Sequence, residues 1–233
     1  MNNSQSLLCL ATHNRHKVSE ISAILNLWCP GLIDRTGTGL RLITLADLQV
    51  PDDVAETGQT FAENARIKAV AAYERTGLWS LADDSGLQVD ALRGAPGIYS
   101  ARYGGEPYSD QRNLDRLLRD LKDVSSLKRQ ARFVCAVCLC GKPAGQDTPR
   151  LVVHERTCEG FLRETASGQG GFGYDPVFVP TFEELGAAGL PALLRTRTFA
   201  ELHETEKNRL SHRARALQAL LPDLRSIAAR QDA

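Results

Sequence analysis

The stretch LLCLATHNRHKVSEISAILNLW, Leu7 to Trp28, constrains the fold more than any other part of the chain. Leu7 to Ala11 is an apolar run of strand length. After a polar loop, Val18, Ile21, Leu25 and Trp28 recur at helical spacing. Strand, short loop, helix is the opening unit of an α/β domain, in which a sheet is buried by helices packed on its faces. The loop itself, THNRHK from Thr12 to Lys17, carries two readings. Unpaired N–H groups at a helix start attract anions and Lys17 adds a full charge, or the loop is an ordinary polar connection. It is no Walker A loop, because the glycines and the Lys-Ser/Thr pair are missing.

The remaining chain continues this alternation. Leu40 to Val50 is strand-like or irregular, and PDDVAETG after it is acidic. Thr60 and Glu63 in TFAE form a capping box that starts a second helix, which ends at a glycine cap, Gly77. LWSLA is then expected as a strand delivering ADDSG, with LQVDAL as another. Ser109 caps a third helix with Leu114, Leu117, Leu118 and Leu121 on one face. ARFVCAVCLC and RLVVHERTCEG read as successive strands, and GQGGFGYDPVFVP as a glycine loop entering a short strand. Residues 183–198, Glu183 to Thr198, are weakly patterned and read as a loop insertion. With 233 residues the chain is read as one domain, 1–233, with two lobes and a substantial core.

Charge narrows the function classes. Lys plus Arg and Asp plus Glu each number 28, which argues against broad electrostatic binding to nucleic acid or to an anionic membrane. A small anion held in a local basic pocket is compatible with that balance. No stretch approaches the roughly 20 apolar residues of a membrane span. The start, MNNSQSLLCLATHN, lacks the charged n-region and the apolar run of a signal peptide, so a cytoplasmic location is expected. Cys135, Cys138 and Cys140 fall on one apolar strand, where Cys138 and Cys140 share a face and Cys135 points away. They read as small core side chains rather than zinc ligands.

Four constellations can carry chemistry. Asp83 and Asp84 in ADDSG are either residues of a solvated turn or carboxylates held together around a cation. Glu56, Glu63, Asn64 and Lys68 cluster near the second helix, where Glu63 is explained by capping and Lys68 by a solvated face, while Glu56 is placed to reach a metal. GGFGYDP has close glycines, two aromatic faces in Phe172 and Tyr174, and a polar edge in Asp175. It suits a heteroaromatic base, or it is an aromatic hairpin corner. SHRARA holds a geometric conflict. Leu210, Ala214, Leu217 and Leu221 must face the core, which turns His212 about 160° from that stripe on a straight helix. A break at Ser211, with Ser211 capping a new helix, resolves it.

Taken together, LATHNRHKVSEI, ETGQTFAENARIKA, ADDSGLQVDALRGAPGIYSARY, GGFGYDPVF and EKNRLSHRARAL resemble the Ham1-type inosine triphosphate pyrophosphatases, in the family's order and over most of the chain. The resemblance implies an α/β fold with a long, mixed, curved central sheet, helices forming two lobes around an active-site cleft, and a homodimer. It implies Mg²⁺-dependent hydrolysis of ITP, dITP and XTP to the monophosphate and pyrophosphate. The substrate is a free purine nucleoside triphosphate, with no nucleic acid polymer or membrane as partner.

By the same resemblance Thr12, His13, Asn14, Arg15, His16 and Lys17 form the phosphate loop, and Glu56 and Asp84 hold the metal. Asp84 is also the general base, and Lys17 and Lys68 act on the phosphates. Ser85 contacts the substrate, and Phe172, Gly173, Tyr174, Asp175, Lys207, His212 and Arg213 bind base and sugar. Many members carry glycine where His13 stands here. Two other classes fit less well. An aspartyl-phosphate phosphatase wants DxD, whereas these aspartates are adjacent. A silent nucleotide-binding module has no need of Glu56 with Asp84.

Overall fold

The computed structural model describes residues 6–33, 39–51 and 53–229. Met1 to Gln5 of the stretch weighed as a signal, Asp52 of the acidic segment, and the C-terminal end of the domain assigned to 1–233 lie outside them. Among the described residues, strands β1 (Leu7–Leu10), β2 (Arg41–Thr44), β3 (Trp79–Val89), β4 (Gln130–Gly141), β5 (Arg150–Leu162) and β6 (Phe178–Pro180) form one sheet. Its order is β2-β1-β3-β4-β5-β6. β1 runs parallel to β2 and β3, with Leu8 opposite Leu42 and Trp79, while β6 is antiparallel to β5. Parallel neighbours need long crossovers, and helices α1 (Arg15–Trp28) and α2 (Phe61–Thr76) supply them. The fold is therefore α/β with a mixed sheet, as expected. Among the described residues no helix is long and apolar enough to cross a membrane.

The chain divides into two compact units. One comprises the described residues up to Asp84, Ala136–Glu155 and the described residues from Ala216 on; the other comprises Ser85–Cys135 and Arg156–Arg215. In the first unit, Leu8 and Leu10 of β1 are buried with Ile21, Ile24 and Leu25 of α1 and Ala65, Ala69 and Ala72 of α2. The buried stripe of α1 is shifted from the expected one, since Trp28 is 37% exposed and Ile24 is buried. Thr60 Oγ1 accepts the Glu63 N–H at 3.1 Å, and Gly77 closes α2 at φ 68°. Glu63 reaches one residue further back than expected and accepts the Gln59 N–H at 2.6 Å.

In the second unit, Leu87 and Val89 pack with Leu114 and Leu117 of α3 (Asp110–Asp120) and with Phe133, Phe178 and Phe199. Residues 183–198 are not a structureless loop. They hold α4 (Phe182–Ala187) and a 3-10 turn, Ala192–Thr196, which place Leu185 and Leu194 in this core. The expected break at Ser211 is present. Helix α5 (Glu204–Leu210) ends there, Ser211 is extended at ψ 154°, and its Oγ accepts the Ala214 N–H at 3.2 Å to start α6 (His212–Ala228). All six cysteines are thiols, five of them buried. Burial raises Cys138 to about 12, as befits a packing residue.

Candidate active site

The ADDSG segment is not a turn between two strands, because β3 runs unbroken through it. Side chains alternate along a strand, so Asp83 and Asp84 point to opposite faces and each meets its own lysine. Lys17 Nζ lies 3.1 Å from Asp83 Oδ2, and Lys68 Nζ lies 2.8 Å from Asp84 Oδ1. That alternation resolves the repulsion that two adjacent buried carboxylates would otherwise suffer. Gly86 is required by crowding rather than by turning: a Cβ there would lie 2.4 Å from Ser100 Oγ.

Lys68 Nζ also contacts Glu56 Oε1 at 3.0 Å, so the two carboxylates assigned to a metal meet at one ammonium. Burial by itself would lower the Lys68 pKa. The negative charges of Asp84, Asp83 and Glu56 more than offset it and hold Lys68 above its ordinary value. Burial raises the Asp84 carboxyl, and Lys68 and Lys17 reverse that only in part. Glu56 and Asp84 are hard oxygen donors of the kind Mg²⁺ takes in ones or twos, leaving its other positions to water and phosphate. Among the described residues no group of three or more His, Cys, Asp or Glu side chains could hold a metal. The donor set is thus an open pair, which fits a magnesium–phosphate partner.

The phosphate loop precedes α1 in the same unit. Asn14 caps the helix, accepting N–H bonds from His16 at 3.0 Å and Lys17 at 3.2 Å, and Thr12 Oγ1 accepts the Asn14 N–H at 3.0 Å. His13, Arg15 and His16 are exposed. His13 Nε2 meets the Val50 carbonyl oxygen at 2.9 Å. Among the described residues only Gln49 and Arg93 have a positive φ without being glycine, so the backbone at His13 does not need a glycine.

The residues assigned to base and sugar lie in the second unit. Asp175 Oδ2 accepts both Lys207 Nζ at 2.7 Å and the Phe172 N–H at 2.9 Å. Lys207 Nζ is 4.9 Å and the Arg213 guanidinium 5.7 Å from the Phe172 ring centre. Arg213 is buried and donates to Ser85 Oγ at 2.8 Å. His212 stacks on Phe133 with ring centres 4.7 Å apart. Gly173 takes φ +62°, and its N–H bonds to Asp110 Oδ2 at 2.9 Å. The set therefore groups two cations, one half-buried aromatic ring and a buried carboxylate.

Tyr174 corrects the expectation that it offers a stacking face. It is a core residue, its hydroxyl donates to the Ser100 carbonyl at 2.8 Å, and burial holds its pKa above the ordinary value. Tyr174→Phe should therefore lower unfolding stability by about 1–2 kcal/mol in denaturant titrations, the cost of an unpaired buried acceptor. It should leave nucleotide KM unchanged; a raised KM with intact stability would return Tyr174 to the binding surface.

Three residues have positional roles: the sequence grouped Asn64 with Glu56 and Lys68 without giving it one, and left Ser100 and Asp110 unread. Asn64 bonds Asp84 Oδ2 and the Gly58 N–H. Ser100 Oγ accepts the Leu87 N–H at 2.9 Å and donates to Gly97 O, which makes GAPGIYSARY a brace for the end of β3. Asp110 holds the glycine loop. The one available signal was Asn64 standing a turn before Lys68 on the Ala-rich face of α2.

A mixed-sheet α/β protein with an open carboxylate pair set among lysines is a phosphate-handling architecture. The family model described as Ham1 family matches residues 8–223, and the chain belongs to the Ham1 family. It is 43% identical over 212 residues to the dITP/XTP pyrophosphatase of Halalkalibacterium halodurans, covering 91% of this chain and 95% of that protein. It is 45% identical to the dITP/XTP pyrophosphatase of Shigella flexneri, covering 93% and 97%. Among solved structures it resembles the Staphylococcus aureus Ham1 protein, with TM-score 0.71, 35% identity and coverage of 94% and 99%. A HAM1 protein from Coxiella burnetii gives TM-score 0.72 at 34% identity, with coverage of 94% and 100%.

Proposed function

We propose that this chain hydrolyses ITP, dITP and XTP to the nucleoside monophosphate and pyrophosphate, with Mg²⁺ as cofactor, and so clears non-standard purines from the nucleotide pool. The observation that carries this reading is the meeting of Glu56 and Asp84 at the Lys68 ammonium, at 3.0 and 2.8 Å, in a Ham1-family chain. The names of the relatives from H. halodurans and S. flexneri support the substrate class.

Glu56 and Asp84 would hold Mg²⁺, which when bound supplies charge neutralisation to the triphosphate. Asp84 takes the proton of the water that attacks the α-phosphorus. The bond from the α-phosphorus to the bridging oxygen breaks, and pyrophosphate leaves with the electron pair. Lys17 and Lys68 neutralise the charge gathering on it. Both lysines are held by carboxylates, so the roughly four negative charges of a triphosphate must compete for them. In the base set, Phe172 provides a ring face, and Lys207, His212 and Arg213 favour a purine with a 6-oxo acceptor over one with a 6-amino donor.

Homodimeric assembly and a cytoplasmic location belong to the same reading, and the homodimer is carried by the family resemblance alone. Incubation with ITP and Mg²⁺ should release pyrophosphate and IMP, and chelating the cation should stop the release. Orthophosphate as the first product, or tight ITP binding without turnover, rejects the reading. A side-by-side panel of purine triphosphates then ranks ITP, dITP and XTP against ATP and GTP.

A further inference from the structure

We propose that Asn64 is a positioning residue that fixes the Asp84 carboxylate and the Glu56 loop at the same time. Its side chain is fully buried on α2, one turn before Lys68. The two ends of the amide have different partners. Oδ1 accepts the Gly58 N–H at 2.8 Å, and Nδ2 donates to Asp84 Oδ2 at 3.4 Å. A backbone N–H can only donate, so the oxygen must face Gly58, and that leaves the NH₂ for the carboxylate. The orientation of the amide follows from the chemistry of its neighbours.

Two consequences follow. First, Asp84 is held at both oxygens by residues a helical turn apart, Oδ2 by Asn64 and Oδ1 by Lys68 at 2.8 Å, so the carboxylate plane is set by α2. Second, Gly58 lies two residues after Glu56 and packs directly on the amide: a Cβ at Gly58 would sit 2.7 Å from Asn64 Oδ1. One buried side chain thereby ties the loop bearing one carboxylate to the strand bearing the other. Pairs of ligands and bases work only when held to within about 0.5 Å, which is the tolerance such a tie supplies. A residue needed only to fill space on this face would resemble its neighbours Ala65, Ala69 and Ala72.

The kinetic arm of the test rests on the pyrophosphatase reading; the stability arm does not. Asn64→Asp keeps the shape and the acceptor for Gly58, but turns the donor facing Asp84 into a second carboxylate oxygen. Asn64→Ala removes both bonds without adding charge. With ITP and Mg²⁺, Asn64→Asp should lower kcat by about 10- to 100-fold and leave KM within about threefold. It should do more harm than Asn64→Ala, although it is the smaller change in shape.

In thermal melts, Asn64→Asp should lower Tm, and adding Asp84→Asn should recover part of that loss, because the pair again sets a donor against an acceptor. A space-filling role predicts the reverse kinetic order and additive melting losses, and either result overturns the proposal. If the wild type does not turn over ITP, the enzymatic reading fails, and recovery or additivity in the melts still decides the tie between Asn64 and Asp84.

Discussion

Asp84→Asn should reduce pyrophosphate release from ITP by about 10³-fold, within the range lost with a general base, while the protein stays folded. The amide has the shape of the carboxylate but cannot take a proton from water and is a poor ligand for a hard cation. Folding should tolerate the change for a reason that lies in the sign of the pKa shift. Burial raises the Asp84 pKa in the folded chain above its unfolded value. Stability from such a group is fully present below the unfolded pKa and is lost as pH rises through the folded one. At neutral pH the charged carboxylate is therefore a cost that the amide removes, which offsets the lost acceptor where the new NH₂ must face the Asn64 amide or Lys68 Nζ, while Lys68 keeps Glu56 at 3.0 Å. The melting temperature should stay within about 4 °C of wild type. Near-normal turnover would exclude Asp84 as the base, and unfolding would make the kinetic loss uninformative about chemistry while contradicting the stability argument.

Gly171→Ala should be strongly damaging. Gly171 adopts φ +70°, and an added Cβ would lie 2.0 Å from Asp175 Oδ2. That oxygen cannot easily yield, because Asp175 is buried and the same atom holds the Phe172 N–H and Lys207 Nζ. Moving it strands a buried ammonium. Together with the left-handed backbone, the loss should reach about 3 kcal/mol or more in denaturant unfolding, and KM for ITP should rise. Gly173→Ala is the control. It shares a positive φ, +62°, but nothing lies within 4 Å of the added carbon. Its cost should be only the backbone term of about 1–2 kcal/mol. Equal losses at the two positions would mean that Asp175 turns aside freely.

What residue order determined here is what nearest neighbours along the chain decide. Thr60 and Gly77 end α2 through bonds made within one turn, so the helix was legible. The break at Ser211 followed from the angular arithmetic of a helix that must bury Leu210, Ala214, Leu217 and Leu221. The motifs of the Ham1 family named the residues of both sets. Tertiary structure alone decided the rest, because distant groups set it. Turn-forming residues in ADDSG lie inside a continuous strand, where pairing with neighbouring strands outweighs local preference. The opposite faces of that strand meet Lys17 and Lys68 from different helices, which no local rule foretells. Tyr174 turned inward because Ser100 offers its carbonyl there. Asn64 gained its part only once the Glu56 loop and β3 came to lie on either end of its amide.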